Sequence, residues 1–117
     1  MKQENRIKGR LAEDLATQAL RGKGYEILER NFANKFGEID IIAKDGETLV
    51  FVEVKAKTGE EFGLPEEMVG KGKLAKIRQM AGVYLEEQSL LCRIDVVAMV
   101  FSPEGEVLRL THYENVY

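Results

Sequence analysis

Asp40, Glu53 and Lys55 stand in the stretch "GEIDIIAKDGETLVFVEVKAK", residues 37–57. The second half of that stretch is a nearly unbroken apolar run interrupted only by Glu53 and Lys55. A strand apolar at both alternations is usually covered on both faces, where an isolated charge costs several kcal/mol. Two carboxylates and an ammonium in such a place suit metal-assisted phosphodiester hydrolysis. Mg²⁺ (or Mn²⁺) takes hard oxygen ligands, and one or two carboxylates commonly hold it. Asp40 and Glu53 supply these, and the backbone carbonyl of Val54 offers a third oxygen. Lys55 is suited to orient or deprotonate the attacking water and to stabilise charge on the phosphate.

These residues can act together only if a hairpin brings them together. Phe36–Lys44 and Glu47–Lys57 read as its strands, with Asp45-Gly46 suited to a type I′ turn. That turn pairs Lys44 with Glu47, Glu38 with Glu53 and Asp40 with Phe51. Asp40, Glu53 and Lys55 then share one face, and Asp40 and Glu53 are diagonal neighbours roughly 7–8 Å apart. Glu38, opposite Glu53, is either a further ligand or a solvated residue at the strand start.

Helical spacing covers residues 5–22, with Ile7, Leu11, Leu15 and Ala19 on one side and Ala12, Ala16 and Leu20 widening the stripe. Glu13 borders that stripe beside Gly9, Ala16 and Leu20, whose small members allow close approach to a sheet. Tyr25–Phe32 reads as a first strand, and Pro65 opens a helical region that Gly70 and Gly72 break. A longer helix over about 73–87 turns Leu74, Ile77, Ala81 and Tyr84/Leu85 inward. Cys92–Phe101 and Val107–His112 are the last two strands. The order α-β-β-β-α-β-β indicates an α/β chain with one mixed five-stranded sheet flanked by helices.

The 117 residues are expected to form a single domain with one hydrophobic core. The net charge of −3 excludes a globally basic protein, so nucleic-acid contact has to come from local patches. Lys71, Lys73, Lys76 and Arg78 form one such patch around the second helix start, and Arg6, Lys8 and Arg10 another. The lone Cys92 excludes an internal disulfide and is expected to be buried as a small hydrophobe. "MKQENRIKGRLAEDL" has no apolar segment of the signal-peptide kind, and no run approaches the roughly 18 residues of a membrane span. A cytoplasmic protein without a membrane partner is expected. His112, the only histidine, has no cysteine or second histidine with which to form a zinc site. Asp95, inside an apolar strand, is expected to serve a structural hydrogen bond or ion pair.

An Asp on one strand followed by Glu-x-Lys on the next resembles the PD-(D/E)XK, or restriction-endonuclease-like, nuclease superfamily. "GEIDIIAKDGETLVFVEVK", with "KGRLAEDLA", "FGLPEEMV" and "RIDVVAM", is similar over nearly the whole chain to the YraN-type family within it. The resemblance implies a three-layer restriction-endonuclease-like fold and a Mg²⁺-dependent endonuclease acting on DNA, on branched or damaged DNA in repair or recombination. It matches Asp40 and Glu53 to the metal ligands and Lys55 to the catalytic lysine. Glu13 matches a helix glutamate that completes the site in resolvase-like members. Two departures stand out: Ile39 replaces the usual proline, and Gln79 lies five residues before Tyr84, not the four of the Gln-x-x-x-Tyr motif. An idle nucleic-acid-binding module of the same fold is the alternative. A homodimer is a further expectation, because so small a chain offers little surface to a duplex.

Overall fold

The computed structural model describes residues 2–59, 69–85 and 91–116, and their side chains except those of 2–7, 83 and 85. The turn opened at Pro65, the "FGLPEEMV" loop except for Val69, the helix end at 86–87 and the Arg6 side chain therefore lie outside the described residues. Helix α1 spans Lys2–Gly22, strand β1 Glu26–Asn34, β2 Gly37–Asp45 and β3 Thr48–Thr58. Helix α2 spans Lys71–Leu85, and strands β4 and β5 span Leu91–Phe101 and Val107–Tyr113. The strands lie in the order β1-β2-β3-β4-β5, with β3 and β4 parallel and every other pair antiparallel. This is the mixed five-stranded α/β arrangement expected from the order of elements.

Alternation along β3 explains the layering. Val50 and Val52 pack with Ala12, Ala16 and Leu20 of α1, whereas Leu49 and Phe51 pack with Ile77, Met80 and Ala81 of α2. One face of the strand thus meets each helix, so its apolar run is continuous, not alternating. Each fully buried Val, Leu, Ile or Phe contributes roughly 1.5–3 kcal/mol. The buried stripe of α1 is centred on Ala12, Ala16 and Leu20, while Leu11 is exposed, so the stripe is rotated from the sequence expectation. Two alanines let the helix lie close to the sheet, and that rotation brings Glu13 toward β2.

The hairpin register differs from the expected one by two residues. Asp45 pairs with Thr48 and Ile41 with Val52, leaving Gly46-Glu47 as the turn. Of these two residues only Gly46 takes a positive φ, +61°, which is the type II′ pattern with glycine first, not type I′. Phe51, the expected partner of Asp40, pairs with Ile42, and Asp40 lies just beyond the last pair. Glu38 pairs instead with Ala33 of β1. A slip of two leaves every side chain on its face, so the hydrophobic pattern cannot resist it.

Two further corrections concern ends of elements. Cys92 is exposed, as is Leu91 at 74%, because burial along β4 begins only at Arg93 and Ile94. Helix α2 begins at Lys71, so Gly72 falls in its first turn instead of breaking it. Among the described residues no helix is long and apolar enough to cross a membrane.

Candidate metal centre

The β2–β3 ladder ends at Ile41 and Val52, whereas β3 continues alongside β4 to Thr58. Where β2 leaves, the Val54 amide loses a strand partner, and it donates to Oδ2 of Asp40 at 2.8 Å. Asp40 thereby substitutes for the missing ladder carbonyl, and its carboxylate is held in the opening between the strands. That opening belongs to a cleft of about 680 Å³ lined by Lys8, Gly9, Arg10, Glu13, Asn31, Asp40 and Lys55, among others.

Carboxylate oxygens of Glu13, Glu38 and Asp40 lie within 4.8 Å of one another. Asn31, in β1 at a left-handed φ of 55°, faces this group. With its amide nitrogen turned toward the carboxylates it donates to Oε1 of Glu13 at 2.8 Å and to Oε1 of Glu38 at 3.1 Å. Arg30 approaches Glu13 at 3.9 Å and pairs more closely with Asp14 at 2.8 Å. Burial and the Asp40 charge push the Glu13 carboxyl up despite Arg30 and Asn31. Asp40 is pushed up by burial, which outweighs the Val54 hydrogen bond and the nearby lysines.

Glu53 is 4% exposed. Its Oε1 lies 3.8 Å from Nζ of Lys55 and 3.6 Å from Nζ of Lys73. Its Oε2 is buried and has no hydrogen-bond partner among the described residues. Burial first, and then the Asp40 charge, raise this carboxyl to about 7 against the pull of the two lysines. A buried lone oxygen beside further carboxylates is costly in protein alone. The hard, all-oxygen donor set fits Mg²⁺ or Mn²⁺.

The residues singled out from the sequence therefore fall into two groups. Asp40, Glu13 and Lys55 share the cleft, and Glu53 adjoins it through Lys55 and through electrostatic contact with Asp40. Of the α2 cations, Lys73 is engaged with Glu53, while Lys71, Lys76 and Arg78 are exposed and do not line the cleft. Asn31 was not legible in advance; asparagine's tolerance of the left-handed region was its only signal.

Asp95 is 0% exposed and serves a separate network. Its Oδ1 accepts from Arg93 Nε at 3.1 Å and the Asn115 amide at 3.0 Å, and its Oδ2 lies 2.7 Å from Nε2 of His112. Arg93 also bonds Asp45 and the Tyr25 hydroxyl, and that hydroxyl donates to Glu114 at 2.9 Å. Asp95, His112 and Glu114 lie close enough to one another to chelate, yet both Asp95 oxygens are already satisfied. The network ties the chain end to the sheet, the structural role expected for Asp95.

The model of the Uncharacterised protein family UPF0102 matches residues 12–99, which carry Glu13, Asp40, Glu53 and Lys55. The chain belongs to the UPF0102 family. It is 42% identical to a UPF0102 protein of Pelotomaculum thermopropionicum over 120 aligned residues, covering 100% of both chains. A UPF0102 protein of Dictyoglomus turgidum is 39% identical over 97% of this chain and 98% of its own. One from Syntrophus aciditrophicus is 45% identical over 87% and 83%. This family membership agrees with the YraN-type resemblance of the sequence.

Proposed function

We propose that this UPF0102 protein is a divalent-cation-dependent endonuclease of restriction-endonuclease-like fold that hydrolyses phosphodiester bonds in DNA. The observation that carries this reading is the buried, unpartnered Oε2 of Glu53 beside Asp40 and Lys55, where β2 parts from β3. Asp40 and Glu53, with the Val54 carbonyl and Glu13, are the proposed ligands of Mg²⁺ or Mn²⁺. Bound there, the cation supplies Lewis-acid stabilisation of the charge that develops on a phosphodiester. Lys55 lines the cleft and is already 3.8 Å from Glu53, so its ammonium can orient an attacking water and offset phosphate charge. Asn31 holds Glu13 and Glu38 in register with each other. Helices on both faces of a mixed sheet, with acidic residues where two strands part, are compatible with the superfamily fold. Branched or damaged DNA in repair or recombination is the proposed substrate and the cytoplasm the proposed location.

The test is a cleavage panel of linear, flapped, nicked and four-way-junction DNA with Mg²⁺ and with Mn²⁺. Cleavage that disappears in EDTA and in Asp40→Asn supports the reading. Metal-independent DNA binding with no cleavage in any arm points instead to a nucleic-acid-binding module. Neither binding nor cleavage would overturn the nucleic-acid assignment altogether.

A further inference from the structure

We infer that Lys8, Gly9 and Arg10 of α1 form the floor on which the phosphodiester backbone docks, so that nucleic acid approaches the cleft along the first helix and not along α2. This rests on the nuclease reading and identifies the surface that serves it. All three residues line the cleft that holds Asp40, Glu13 and Lys55. At about 100° per residue, Lys8 and Arg10 stand to either side of Gly9, and Glu13 lies one turn further along the same stripe. Two cations thus bracket a bare stretch of helix next to the acidic group. Lys8 bonds the hydroxyl of Thr58 at the end of β3, which joins this wall of the cleft to the strand carrying Glu53 and Lys55.

Gly9 is the second observation. Glycine is the least favourable helix residue after proline, and Gly9 stands inside α1, well clear of its ends. Among the described side chains packing does not demand it, because a Cβ built there would meet none of their atoms within 4 Å. What a side chain would occupy is open space within the cleft. Gly72 and Gly82 of α2 are equally free of clashes, but Gly9 alone among these three lines the cleft, where it leaves the helix backbone open to close approach by a ligand. The flanking charges make that ligand an anion, and the adjoining site makes it a phosphodiester. The α2 patch is less suited, since Lys73 is engaged with Glu53 and its other cations stand outside the cleft.

The test measures binding of a short fluorescein-labelled DNA duplex, and of its single strand, by anisotropy across a salt series in EDTA. Combining Lys8→Gln with Arg10→Gln should weaken binding roughly tenfold and reduce the salt slope by about 2. Gly9→Ala should raise the melting temperature by roughly 3–6 °C while weakening binding severalfold, a pairing that a purely structural glycine would not produce. Lys71→Gln with Lys76→Gln should weaken binding less than the α1 pair does. The inference is overturned if the α2 pair abolishes binding and the α1 pair does not, or if Gly9→Ala binds like wild type. Wild-type binding that depends on Lys8 and Arg10 without any cleavage would leave this docking floor standing and remove only the nuclease reading.

Discussion

Nζ of Lys73, carried by α2, lies 3.6 Å from Oε1 of Glu53, a carboxylate buried on β3. Lys55 approaches the same oxygen from within the strand. Two ammoniums around one carboxyl still leave it titrating near 7, because burial and Asp40 act more strongly in the opposite direction. The site is therefore held together at a cost that a bound cation would relieve.

That cost should appear in the pH dependence of stability. The folded carboxyl of Glu53 titrates at about 7 against an ordinary 4.5, so the native state binds its proton more tightly than the unfolded chain does. Below pH 4.5 both states are protonated and there is no penalty. Between the two values the unfolded chain releases the proton first, and stability falls as pH rises, by about 3 kcal/mol in all. Glu53→Gln should remove this fall and be more stable than wild type above pH 7. Urea unfolding on both sides of the window measures it, and a Gln variant less stable than wild type at high pH would sink the account.

Millimolar Mg²⁺ or Mn²⁺ should raise the melting temperature, since only the folded chain assembles the carboxylates. At a concentration a hundredfold above Kd the gain is roughly 2.7 kcal/mol. Asp40→Asn should remain folded and lose most of it. A wild-type melting temperature indifferent to both cations would count against the centre.

Lys55→Ala separates catalysis from structure. Removing a positive charge from beside Glu53 should leave cation affinity unchanged or slightly tighter, while cleavage falls about 10²–10³-fold. Lys55→Arg should rescue little, because a planar guanidinium does not replace a compact ammonium. Full activity in a folded Lys55→Ala protein would end the catalytic assignment.

Asp95 should behave oppositely to Glu53. Burial alone would raise its carboxyl, yet His112, the Asn115 amide and Arg93 outweigh burial and hold it below the usual carboxylate range. Its contribution is thus complete above the ordinary carboxylate value and is lost as pH falls through the lowered one. Asp95→Ala should cost roughly 3–5 kcal/mol, as expected when one partner of a buried ion pair is removed. Cation affinity, measured by calorimetry on the folded fraction, should not change. A loss below about 1 kcal/mol would show the network to be dispensable.

Local pattern was enough to find the elements. The continuous apolar run over Leu49–Val52, helical spacing through Ile7, Leu11, Leu15 and Ala19 widened by Ala12, Ala16 and Leu20, and glycine at the turns mark strands, helices and their order. The same pattern marked Glu53 and Lys55 as anomalies, because a charge inside a doubly covered strand violates the burial rule that makes the strand recognisable.

Tertiary structure decided the relations between elements. A period of two is blind to a register slip of two, so the turn at Gly46-Glu47, with glycine in its first position, set Ile41 opposite Val52 and left Asp40 where the two strands part. The rotation of α1 that brings Glu13 beside Glu38 and Asp40 followed from close packing of Ala12 and Ala16, a matter of volume and not of hydrophobic spacing. Lys73 reaches Glu53 from an element twenty residues away in sequence, and no spacing rule reports such a meeting. Pair interactions across a folded core depend on distances that local sequence does not encode, which is why Asp40, Glu53 and Lys55 stand out in the sequence while the side chains that meet them do not.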